Sequence, residues 1–119
     1  MDLEGVRGGD ILRATVAFRD QDGEKQRPVL VLENKGYALV VAYGSTKKVD
    51  LAAGGLAHEL VLTREEAALA GLSGAGRFDL GRRETVIAAD VVLRYGHIAA
   101  CGPEVLRRMV KAAKAAGLI

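Results

Sequence analysis

Between Asp10 and Tyr43 the chain makes three short apolar runs, each closed by a polar segment, and that punctuation favours strands joined by hairpins over helices. In the first run Leu12, Ala14, Val16 and Phe18 alternate with Ile11, Arg13, Thr15 and Ala17. A period of two puts one apolar face on a strand over residues 10–18. The segment Arg19 to Gln26 is wholly polar and contains Asp22-Gly23, so it reads as an exposed connection. Arg27-Pro28 then leads into Val29-Leu30-Val31-Leu32. Proline lacks an amide donor and holds its predecessor extended, which suits the first residue of a strand. Asn34-Lys35-Gly36 reads as a tight turn, and Tyr37 to Tyr43 as a third, central strand.

Beyond Gly44-Ser45-Thr46-Lys47-Lys48 the punctuation continues. The glycine-rich stretch Ala52 to Leu56 leads to a short strand at His58 to Leu62. Thr63, with Glu66 three residues later, forms a capping box for a short helix that Gly71 ends. Ser73-Gly74-Ala75-Gly76 reads as a flexible loop, and further strands are expected at Thr85 to Ala89 and Tyr95 to Ala100. Pro103, at a first helical position, opens a closing helix. Its apolar face is Val105, Leu106, Met109, Val110 and Ala113, and its basic face is Arg107, Arg108, Lys111 and Lys114. No strand–helix–strand alternation and no internal repeat is present. The expected class is β-rich α+β, a small bent antiparallel barrel with a helix packed on it, with an antiparallel sandwich as the alternative. At 119 residues one domain spanning 1–119 is expected, because two separate cores would each be too small.

Composition narrows the functions. A net charge of +2 makes the whole chain no strong polyanion binder, so phosphate contacts must come from local clusters. The single cysteine, Cys101, forms no internal disulfide, which points to a reducing compartment, with the cytoplasm as the default. No apolar run approaches the roughly 20 residues that span a bilayer. His58 and His97 have no Cys or His at metal-ligand spacing, so neither a metal site nor another cofactor is expected.

Within those bounds Arg27 leads the candidates. At the entry of a strand it is either an ordinary rim charge or a guanidinium fork for a phosphate. Ser45 and Thr46, after Gly44 and before Lys47-Lys48, make either a solvated Ser/Thr turn or a phosphate site of hydroxyls and amides. Asp22, Glu24 and His58 are candidate proton acceptors, although carboxylates in polar hairpins commonly serve only solubility. Arg77, Arg82 and Arg83 form a second basic cluster that could follow a phosphate backbone or could be a solvated hairpin tip.

Taken together, Gly9-Asp10-Ile11, Arg27-Pro28-Val29-Leu30-Val31-Leu32 and Val40-Val41-Ala42-Tyr43-Gly44-Ser45-Thr46 resemble the MazF/PemK family of toxin endoribonucleases in order and spacing. The likeness continues through His58-Glu59-Leu60-Val61-Leu62, Arg77-Phe78-Asp79-Leu80 and Gly96-His97-Ile98. It implies an SH3-like β-barrel, usually a homodimer, that cuts single-stranded RNA without metal and is blocked by a cognate antitoxin protein. By the same likeness Arg27 matches the catalytic Arg of the Arg-Pro motif, and Ser45 falls on the family's hydroxyl with Thr46 beside it. The family's Thr-Ser pair is reversed here to Ser-Thr. From their charge alone, the expected RNA contacts are Lys47, Lys48, Arg77, Arg82 and Arg83. The rival expectation is a non-catalytic SH3-like barrel that binds RNA, or a protein partner in the manner of the gyrase-directed toxin CcdB.

Overall fold

The computed structural model describes residues 2–17, 24–45 and 56–119, with the side chains of Ala17 and Glu24 set aside. Six strands run β1 (Asp10–Ala17), β2 (Glu24–Asn34), β3 (Leu39–Ser45), β4 (Glu59–Leu62), β5 (Gly76–Val86) and β6 (Val91–His97). Two helices, α1 (Arg64–Leu69) and α2 (Pro103–Ala115), follow β4 and β6. All five ladders are antiparallel, and they give the order β4-β5-β3-β2-β1-β6. Among the described residues the sheet is not closed: β4 and β6 are its edges.

Both faces of the central strands are buried, which is why β2 and β3 read as nearly continuous apolar runs rather than as alternation. Ile11, Leu30, Ala42, Leu60, Phe78 and Leu80 join Ile98, Val105 and Ala112 in the core under the helices. Leu12, Ala14, Val16, Val29, Val31, Leu39 and Val41 form a second core on the opposite face. That second face is covered by the N-terminal segment, whose Leu3 and Val6 are buried. Asn34 fastens it there, its Nδ2 donating to Leu3 O at 2.9 Å and Val6 O at 2.7 Å. Each such buried aliphatic side chain contributes about 1.5–3 kcal/mol.

Local signals set the element ends. Thr63 Oγ1 accepts from Glu66 N–H at 3.1 Å and Glu66 Oε1 from Thr63 N–H at 2.9 Å, the reciprocal box expected for α1. Pro103 stands at the start of α2, and Gly117, with φ of 78°, follows its end. Gly36 takes φ of 88° in the turn between β2 and β3.

Four expectations need correcting. β5 covers Gly76–Val86, so Arg82 and Arg83 lie within a strand and not at a hairpin tip, and Gly76 belongs to the strand rather than to a loop. The expected strand at Thr85 to Ala89 is only the end of β5 followed by a 3-10 turn, Ala88–Asp90. The expected strand at Tyr95 to Ala100 begins earlier, at Val91, and gives way to a second 3-10 turn, Ile98–Cys101. α2 keeps most of its expected face, with Val105 buried and Leu106, Met109 and Ala113 packed on the core, but Val110 is 42% exposed and Ala112 is buried instead. The cause is Arg108, placed on the polar face by its charge, which instead turns inward to bond Glu66 and donates to Val61 O at 3.3 Å. Cys101 Sγ donates to Glu66 O at 3.2 Å, and burial raises its thiol pKa, so it acts as a small, protonated packing group.

Candidate functional site

The register Val29–Tyr43 and Leu30–Ala42, continued by the antiparallel rule, sets Pro28 across from Gly44 and Arg27 across from Ser45. The backbones are close at that point. A Cβ at Gly44 would collide with the Pro28 carbonyl oxygen and stand 2.8 Å from Phe78 Cε1, so only glycine lets the end of β3 lie so near Arg27-Pro28. On the other side of β3, Ser45 pairs with Arg77 and Tyr43 with Asp79 of β5, and β4 adds Glu59 opposite Asp79. Sheet pairing alone therefore gathers one rim from segments that are far apart in the sequence.

Arg27 is half-buried, and its Cζ lies 5.0 Å from the centre of the Tyr43 ring. Its Nε is buried and has no hydrogen-bond partner among the described residues. Arg82 Cζ lies 4.2 Å from the same ring centre. Two clefts meet at this rim. One, of about 420 Å³, is lined by Tyr43, Ser45, Leu56, Glu59, Arg77, Asp79 and Arg82. The other, of about 260 Å³, includes Arg13, Gln26, Pro28, Ser45 and Arg77. Ser45 and Arg77 are common to both, so an extended strand could cross from one cleft to the other past the hydroxyl.

Charge at the rim is partly committed. Glu59 is buried and uses both oxygens, Oε1 accepting from Leu56 N–H and Oε2 from Arg77 Nη1, each at 2.9 Å. Arg77 is thus held as a structural counter-ion. His58 Nε2 faces Asp79 Oδ1 at 3.3 Å, and the same oxygen accepts from Gly81 N–H at 2.9 Å. The carboxylate holds the imidazole ring in place.

The fold brings Arg27, Ser45, Arg77 and Arg82 to one rim, with His58 reaching it through Asp79. It does not bring Arg83 there: adjacent strand residues point to opposite faces, and Arg83 lines an apolar groove with Met109 and Val110 of α2. His97 is a structural group as well, its Nδ1 accepting from Ala99 N–H and its Nε2 facing Gly8 O, each at 3.0 Å. Asp22, Thr46, Lys47 and Lys48 lie outside the described residues, as does the side chain of Glu24. Sequence reasoning missed Tyr43, Asp79 and Glu59; the only signal for them is a polar or aromatic residue interrupting an apolar strand pattern. Among the described residues no three His, Cys, Asp or Glu side chains gather as a metal site requires, and no helix is long and apolar enough to cross a membrane.

No family model and no curated protein matches the sequence. Solved structures do match. Toxin MazF-mt6 of Mycobacterium tuberculosis superposes with a TM-score of 0.65 at 22% identity, over 91% of this chain and 95% of that one. The fold is that of the MazF toxins. A mycobacterial endoribonuclease in complex with its cognate antitoxin gives a TM-score of 0.64 at 15% identity, over 95% and 96% of the two chains. A second Mtb toxin gives 0.62 at 19%, over 89% and 98%. The MazF likeness spans nearly all of both chains, so it concerns the fold as a whole.

Proposed function

We propose that the protein is an endoribonuclease toxin that cuts single-stranded RNA without a metal ion. The observation that supports this most is the approach of β2 and β3, whose register continued past Val29–Tyr43 sets Arg27 across from Ser45 beside a contact that requires Gly44, on a fold shared with MazF toxins. The 2′-hydroxyl of the substrate attacks the neighbouring phosphorus, the P–O5′ bond breaks, and the products are a 2′,3′-cyclic phosphate and a 5′-hydroxyl. The protein then has three tasks: to accept the 2′ proton, to stabilise the phosphorane oxygens and to supply a proton to the leaving oxygen. In this reading Arg27 stabilises the phosphorane, with a guanidinium whose Nε has no hydrogen-bond partner among the described residues. Ser45, or Thr46 beside it, donates a hydrogen bond to a phosphate oxygen. His58, held by Asp79, is a proton acceptor for the 2′-hydroxyl, and Asp22 and Glu24 are the others.

The same reading treats residues 1–119 as one SH3-like barrel domain. The chain just after α1 comes close to the β6 edge: a Cβ at Gly96 would stand 2.6 Å from Ala70 O. It also carries an antitoxin partner, a homodimer and a cytoplasmic setting. The mycobacterial neighbour solved with its cognate antitoxin is the precedent for the partner.

Purified protein incubated with mixed-sequence RNA in excess EDTA is expected to yield fragments that end in cyclic phosphate. Intact but retarded RNA would instead favour the binding alternative.

A further inference from the structure

Arg82 and Arg83 are neighbours in the chain but part company in the fold, and a break in the β3–β5 ladder is the reason. Ala42 pairs with Arg83, and the next residue of β3, Tyr43, pairs with Asp79. Leu80, Gly81 and Arg82 are therefore extra residues on β5, a bulge that turns side chains away from the regular alternation. The bulge is tied down. Leu80 N–H donates to His58 O at 3.0 Å, and Gly81 N–H donates to Asp79 Oδ1 at 2.9 Å. A Cβ at Gly81 would lie 3.1 Å from His58 Cδ2 and 3.2 Å from Asp79 Oδ1, so a side chain there would press on the pair that anchors the bulge.

The bulge delivers Arg82 to Tyr43, the ring that Arg27 reaches from β2. Two guanidiniums on one aromatic ring repel each other, and the ring's quadrupole offsets only part of that repulsion. Both Nε atoms are buried and lack hydrogen-bond partners among the described residues. Glu84 Oε1 forms a long ion pair with Arg82 Nε at 3.9 Å, which offsets part of the charge but is too long for a hydrogen bond. Two buried donors of like charge, beside an open cleft of about 420 Å³, form a receptor for an anion.

We propose that Tyr43 is a positioning residue that holds Arg27 and Arg82 together as a paired-guanidinium receptor for the phosphodiester backbone of a single strand. Arg27 grips the phosphate that reacts, and Arg82 grips the one next to it. The assignment of the reacting phosphate rests on the RNA-cleaving reading; the pairing itself is a statement about binding and is testable without cleavage. Tyr43 also packs against the second core, so its role as a platform must be separated from its role as filler.

The experiment titrates the full chain with a fluorescent single-stranded RNA in which every 2′-hydroxyl is methylated, a probe that cannot be cut by 2′-attack, over a range of salt concentrations. Arg82→Gln is expected to weaken binding about tenfold and to reduce the slope of log affinity against log salt by about 0.7, the value for one phosphate contact on a single strand. Tyr43→Phe is expected to match the wild type. Tyr43→Leu, with its fold checked by thermal melting, is expected to lose affinity and slope, because leucine fills space but offers no π face. Wild-type affinity and slope in Arg82→Gln, or in a folded Tyr43→Leu, would overturn the proposal, as would failure of the wild type to bind the probe at low salt. If Tyr43→Leu does not fold, Arg82→Gln decides alone. Arg82-dependent binding without cleavage of ordinary RNA would leave the receptor standing and remove the nuclease reading. Cleavage of ordinary RNA with a wild-type Arg82→Gln titration would do the reverse.

Discussion

Arg27→Ala is expected to slow RNA cleavage by about 10²- to 10³-fold, the usual loss when one preorganised electrostatic stabiliser of a transition state is removed. The protein should stay folded. Arg27 sits at a rim, paired through its backbone with Ala14 of β1, and its guanidinium meets the Tyr43 ring rather than a buried carboxylate. Among the described residues, truncating it strands no opposite charge. Arg27→Lys keeps the charge but loses the planar fork and its stacking on Tyr43, so it should recover only part of the rate. Single-turnover rates with enzyme in excess, read beside thermal unfolding, check both variants. A folded Arg27→Ala protein with the wild-type rate would remove Arg27 from the chemistry.

A second large effect is expected on stability. Arg77→Ala leaves the Glu59 side chain, 4% exposed, with a single hydrogen bond from Leu56 N–H and no counter-ion. Breaking one half of a buried ion pair costs about 3–5 kcal/mol. The lower end applies here, because the Arg77 side chain is 31% exposed and the pair is only partly removed from water. Urea denaturation should show a loss of about 3 kcal/mol. Replacing both members, Glu59→Leu with Arg77→Leu, should restore most of it, since the uncompensated charge is gone. Reduced cleavage by Arg77→Ala therefore reports a weakened rim more than a lost RNA contact, in contrast to Arg82. An Arg77→Ala protein as stable as the wild type would mean that water reaches Glu59.

The elements that were legible in the sequence are those fixed by local chemistry. Thr63 and Glu66 satisfy each other's amides within one turn, Pro103 is compatible only with a helix start, and Asn34-Lys35-Gly36 needs a residue tolerant of positive φ; each of these acts over four residues or fewer. β5 was hidden because it carries an irregularity that its own sequence does not announce. The bulge at Leu80, Gly81 and Arg82 breaks the period of two, and Gly81-Arg82-Arg83 taken alone has the composition of a turn. The side of α2 that Arg108 takes departs from expectation for a related reason. Arg108 belongs by charge to the solvent face, yet Glu66, 42 residues earlier, supplies a partner that draws it inward. The buried Asp10 is a third case, since it is bonded to Arg94, 84 residues away, and only the β1–β6 ladder brings them together.

The same division holds at the site. Arg27 and Ser45 stand out as a long cation at a strand entry and a hydroxyl beside glycine at a strand end, both local features. That they face each other depends on the β2–β3 register, and that Arg27 shares a ring with Arg82 depends on a bulge two strands away. Tyr43 carried only a weak signal, because an aromatic residue within an apolar strand reads first as core.

The claim that joins these residues to a reaction is that the substrate's own 2′-hydroxyl is the nucleophile. Its most direct test is cleavage, in EDTA, of an RNA carrying a single 2′-deoxy nucleotide immediately 5′ to a mapped cut. The account expects cutting to vanish at that bond and to continue at unmodified sites elsewhere in the same strand. Undiminished cutting at the deoxy position would contradict it, since a water or protein nucleophile would then be breaking the bond.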